Sequence, residues 1–120
     1  MIGKLGSVVL DCPDPKALAA FYAAVLGGDV EEADDDWVVL RATDGVKLSF
    51  QRAPHLVEPQ WPDPQRPQQF HIDVAVENMD AAQEAVLALG AKLLEDDHDG
   101  KRNWRVFSDP AGHPFCLCVC

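Results

Sequence analysis

Hydrophobic and polar residues alternate with a period of two from Leu5 to Cys12, and the period then lengthens to that of a helix. Leu18, Phe21, Tyr22, Val25 and Leu26 fall at i, i+3, i+4, i+7 and i+8, which makes one apolar stripe. Asp14 followed by Pro15 opens this helix in the order that helix starts favour, and Gly27-Gly28 closes it. A short edge strand is expected over Asp29 to Glu32, followed by an acidic turn at Asp34-Asp35-Asp36. The segments Trp37 to Ala42 and Val46 to Arg52 then read as a hairpin joined through Thr43-Asp44-Gly45. A stretch containing Pro54, Pro59, Pro62, Pro64 and Pro67, with Trp61 among them, suits neither helix nor central strand and is expected to be a linker.

The same order then begins again. Ser7-Val8-Val9-Leu10-Asp11 has its counterpart about sixty-four positions later in His71-Ile72-Asp73-Val74-Ala75. A strand over Gln69 to Val76 leads into a helix from Asn78 to Leu89 stopped by Gly90, then into strands near 91–95, 103–108 and 114–119. Ala82, Ala85, Val86 and Leu89 are expected on the buried side of this second helix. A long unit occurring twice points to two modules rather than a solenoid, which needs three or more. The fold class expected is α+β, a single domain of two βαβββ modules forming a cupped mixed sheet. Module one covers about residues 3–53, the linker 54–68 and module two 69–120.

Alternation also sorts the faces. Val8, Leu10, Leu48, Phe50, Phe70, Ile72, Val74, Phe115, Leu117 and Val119 share the face that must pack on helices. The opposite face collects Ser7, Lys47, Gln51, His71, Asp73 and Cys116, a polar set that marks it as the candidate binding face, with Trp37 as an aromatic wall.

The chain has 120 residues, 48% of them hydrophobic, and a formal net charge of −10. That is enough core for one domain without disulfides, and enough negative charge to disfavour nucleic acid and anionic membrane surfaces as partners. A neutral or cationic small ligand fits the charge better. Nothing approaches the ~20 apolar residues of a membrane helix, and no signal peptide is evident. Cys12, Cys116, Cys118 and Cys120 make no disulfide framework, because alternate residues of one strand lie roughly 6.5–7 Å apart. Reduced thiols in a cytoplasm are expected. The Cys116, Cys118 and Cys120 row reads most simply as small apolar filler. Trp37, Trp61 and Trp104 read first as packing and His113 as part of its turn, while His55 and His98 lie in polar loops and carry no signal.

Several of these segments together are recognisable: Phe21-Tyr22 and Val25-Leu26-Gly27, Gln69-Phe70-His71-Ile72-Asp73, Leu89-Gly90, Trp61-Pro62, and Asp109-Pro110-Ala111-Gly112-His113-Pro114. They resemble the vicinal oxygen chelate superfamily, the glyoxalase, bleomycin-resistance and extradiol dioxygenase group, and most of all its bacterial glyoxalase-like domain proteins. The resemblance implies two paired modules and a homodimer. In metal-dependent members it implies four ligands on the first and last strands of each module. Carried over, those positions are Ser7, Gln51, His71 and Cys116, of which only Gln51 and His71 are residue types the family uses. A serine hydroxyl is a poor donor for a hard octahedral ion, and Cys116 stands where a glutamate would supply charge.

The expectation is therefore a small-molecule-binding glyoxalase-like protein without the usual divalent metal and with no cofactor. A Cys116–His71 pair leaves zinc as an alternative, and nickel, manganese or iron remain the other candidate ions. A second class of function is a lyase or isomerase, metal-dependent or cofactor-free, in which His71 is ligand or base and Asp73 orients it. A third is a dimeric interaction domain with no ligand, whose cup would be filled by side chains.

Overall fold

The computed structural model describes all residues except Ile2, Lys4, Ala33, Gln69, Phe70 and Cys120. The order is β1 (Val8–Cys12), α1 (Pro15–Leu26), β2 (Asp29–Glu32), β3 (Trp37–Arg41), β4 (Lys47–Arg52), β5 (Ile72–Ala75), α2 (Met79–Ala88), β6 (Lys92–Glu95), β7 (Trp104–Ser108) and β8 (Pro114–Cys118). Each half is βαβββ, as the repeat predicts. The first sheet runs β1-β4-β3-β2 and the second β5-β8-β7-β6, so the two have the same strand order. In both, the first strand pairs parallel to the last and the remaining pairs are antiparallel.

The chain divides into compact units at Met1–Leu56 and Val57–Cys120. Most of the proline-rich segment thus belongs with the second unit, where the Trp61 indole N–H donates to Glu95 at 3.1 Å. β1 begins at Val8, later than the alternation from Leu5 suggests. Gln69 and Phe70, expected to open β5, and Cys120 lie outside the described residues.

The first unit's core follows from helix α1. Asp14 caps it, its carboxylate accepting from the Ala17 amide at 3.2 Å, and Pro15 occupies the first turn where no amide is missed. Leu18, Phe21 and Tyr22 are buried against the sheet, and Tyr22 stacks on Phe50 with centroids 5.9 Å apart. After the helix, Gly28 takes φ +112°, and a Cβ there would collide with the Arg41 carbonyl and the Ala42 Cα. Glycine is required for that close return of the chain onto β3.

Helix α2 is capped by the Asn78 side chain, which accepts from the Ala81 amide at 3.0 Å. Its inward stripe differs from the expected one. Val86 is its one buried residue, Met79, Ala82 and Gln83 are half-buried, and Ala85 and Leu89 are exposed. The helix is turned so that Gln83 accepts from the Arg105 guanidinium at 2.8 Å, and Leu89 falls at the C-cap. The second core leans more on its sheet, where Phe107 and Phe115 stack at 5.6 Å and both are fully buried.

Candidate functional site

The ladder registers place each polar-face residue on a rung. In the second unit Asp73 is level with Cys116, Cys116 with Val106, and Val106 with Glu95. Residues paired this way project to one side of the sheet. His71 precedes β5 by one residue and lies two positions from Asp73, which returns it to the same side. Its Nε2 is 3.1 Å from an Asp73 carboxylate oxygen. The ligating atoms of His71, Asp73 and Cys116 all lie within 4.8 Å of one another. His71 and Asp73 are exposed, whereas Cys116 is buried.

Burial, followed by the charge of Asp73 and a hydrogen bond to it, pushes the Cys116 thiol up to about 11. Cys116 is therefore a thiol at neutral pH in this arrangement. It is not the activated nucleophile that a cofactor-free reaction would need.

The first unit carries different chemistry on the same rungs. Val9 is level with Ser49, Ser49 with Val39, and Val39 with Glu31. Ser7 therefore corresponds to His71, Val9 to Asp73, and Ser49 to Cys116. The Ser7 and Ser49 hydroxyls hydrogen bond to each other at 2.6 Å, and Ser49 is fully buried.

Gln51 sits two residues further along, level with Asp11 and Trp37. Ser7, whose hydroxyl donates to the Lys47 carbonyl at 3.3 Å, lies at the opposite end of the strand. Four residues of strand separate the two levels, about 13 Å, so Ser7 and Gln51 do not converge on one ion. Ser49 is the register equivalent of Cys116. Lys47 and Trp37, the other expected ligand contacts, flank Ser49 at the two ends of the same face.

A polar cluster that sequence reasoning missed lies on the same row of the sheet, two strands from Cys116. Glu95 takes hydrogen bonds from the Trp61 indole at 3.1 Å and faces the Arg102 guanidinium at 3.0 Å and His98 Nε2 at 3.1 Å. These partners hold its carboxyl below the ordinary range, His98 contributing most. Arg102 also stacks over Trp104, 4.7 Å from the ring centroid. His98 thus has a role that its polar loop did not suggest. The register shift between Leu93 and Glu95 breaks the period-two pattern, so alternation alone does not tell which way Glu95 faces. In the 109–114 turn, Asp109 accepts from the Ala111 and His113 backbone amides at 2.9 and 3.0 Å.

A hard octahedral ion takes oxygen donors and does not favour a thiolate. One imidazole, one carboxylate and one thiol are a set that zinc accepts, commonly as three protein ligands with a fourth position open. Among the described residues this donor set occurs in the second unit only.

A family model described as a glyoxalase-like domain matches residues 7–118. A comparison with curated proteins finds no sequence match. Among solved structures, the fosfomycin resistance protein FosX from Mesorhizobium loti is similar with a TM-score of 0.74 and 17% identity, over 100% of this chain and 94% of that one. A FosX variant from Listeria monocytogenes, in complex with Mn(II) and a dihydroxypropylphosphonic acid, gives 0.72 and 18%, over 99% and 91%. A structure described as a possible glyoxalase from Bacillus cereus gives 0.66 and 16%, over 96% and 99%. At such identities these likenesses establish the fold. Matched over nearly its whole length, the chain belongs to the glyoxalase-like domain family of the vicinal oxygen chelate superfamily.

Proposed function

We propose that this chain is a small-molecule-binding glyoxalase-like protein that holds its ligand on the polar face of the second sheet, without the hard-ion site of metal-dependent members. The observation that carries this reading is the convergence of His71, Asp73 and Cys116 within 4.8 Å, at rungs where the first unit has only Ser7, Val9 and Ser49. An exposed imidazole and carboxylate above a buried thiol offer a ligand both a hydrogen-bond donor and acceptors. The net charge of −10 favours a neutral or cationic ligand. Homodimer formation and a reducing cytoplasmic setting belong to the same reading, on the grounds of the resemblance and of the wide spacing of alternate cysteines along one strand.

The test is a thermal-shift panel of small organic cations and vicinal-dioxygen compounds, followed by calorimetry of any hit. Binding that disappears in His71→Ala while the fold persists is the expected result. A hit that binds His71→Ala and Asp73→Asn as tightly as the parent overturns it.

A second reading, a lyase or isomerase, draws on the 3.1 Å contact between His71 Nε2 and Asp73. In that reading Asp73 fixes the imidazole ring, and His71 takes a proton from a bound substrate. A metal held by His71, Asp73 and Cys116 would polarise substrate oxygens. Turnover of a panel member, lost in His71→Ala and reduced in Asp73→Asn, would favour the enzyme over the binding protein.

A further inference from the structure

We infer that Asp73 supplies the carboxylate missing from the last strand, and that His71, Asp73 and Cys116 together form a zinc-selective site contained within the second unit. This rests on the reading that the second sheet's polar face is the binding face.

Ligand placement carries the inference. His71 and Asp73 are alternate residues of one extended segment and share a face, with 3.1 Å between imidazole and carboxylate. Cys116 is the rung partner of Asp73 on the neighbouring strand. Donors around a tetrahedral zinc are roughly 3.3–3.8 Å apart, given metal bonds of about 2.0–2.3 Å. A spread of no more than 4.8 Å therefore closes by side-chain rotation of about an ångström, with no change in backbone register. Binding forms a zinc–sulfur bond and releases the Cys116 proton to solvent. Two negative donors, a carboxylate and a thiolate, balance the dication, and the imidazole completes a neutral set.

The duplicated fold supplies an internal control. On the matching rungs the first unit has a hydroxyl, an isopropyl group and a hydroxyl, at Ser7, Val9 and Ser49. The same backbone thus carries three donors in one unit and no strong donor in the other. The thiol sets the preference among ions, since manganese and magnesium favour all-oxygen surroundings.

The experiment is zinc titration of the full chain against a chromophoric chelator, with a parallel cobalt(II) titration read by absorption. One zinc per chain is expected. Cobalt should give tetrahedral visible bands and a sulfur-to-cobalt charge-transfer band that vanishes in Cys116→Ser. Asp73→Asn should weaken zinc by well over tenfold, about the least that loss of even an outer-sphere partner brings. Ser7→Ala should leave affinity unchanged. Zinc binding that tolerates Asp73→Asn, a cobalt spectrum without the sulfur band, or no zinc uptake by a folded chain each overturns the inference. If zinc fails but an organic ligand still binds in a His71-dependent way, the binding-face reading stands alone. If neither binds, both readings fall.

Discussion

Cys116 shows how one residue's chemistry is set by its rung. Sequence alternation places it correctly beside Asp73 on the polar face, and its reading as buried filler agrees with its 7% exposure. What the sequence does not display is the hydrogen bond to Asp73, because strand pairing joins residues far apart in the chain. Since burial and then Asp73 raise the thiol to about 11, alkylation by iodoacetamide at neutral pH should be slow. Asp73→Asn removes the negative charge, lowers the thiol pKa and should speed alkylation at fixed pH. Mass spectrometry of the alkylated peptide over time checks the direction, and an unchanged rate would show that burial acts alone.

Among the elements, helix α1 was readable because its signals agree: the Asp14 cap, Pro15, a stripe of large side chains and a glycine stop. Helix α2 has small side chains, so its stripe is weakly marked, and its inward side includes Gln83, which accepts from Arg105. The candidate site divides in the same way. His71, Asp73 and Cys116 follow from alternation within single strands, whereas Ser49 in place of Gln51 needs the register between β1 and β4, which a period does not give. Two substitutions test the α1 account. Asp14→Ala should cost ~1 kcal/mol through the lost cap. Gly28→Ala should cost more, at least about 2 kcal/mol, since it adds a positive-φ penalty to a backbone collision. Urea unfolding midpoints rank the two, and equal losses would contradict the close approach to β3.

At the scale of the whole molecule, an excess of carboxylates is managed by pairing. Asp97 is held below the ordinary carboxylate range chiefly by Arg105, and Glu95 by His98, Trp61 and Arg102. Lys16 does the same for Asp35 in the first unit. A carboxyl whose folded value lies below its unfolded value stabilises the fold above the unfolded value, and that contribution is lost as pH falls through the folded one. Thermal midpoints should therefore hold steady near neutrality and decline once pH drops below the ordinary carboxylate range. Arg105→Gln should make that acid-side decline shallower, because Asp97 then titrates more nearly as in the unfolded chain. An equally steep decline in the variant would assign the acid sensitivity to other pairs.

The shared strand order of the two sheets has a consequence for how such a protein can change. Ser7, Val9 and Ser49 occupy the positions that His71, Asp73 and Cys116 hold in the second sheet, so the first sheet repeats the strand order without those three side chains. Duplication thereby separates two burdens that a single-copy site must carry at once. On the reading proposed above, one copy keeps the three donors, and the other can change its own sequence without removing them.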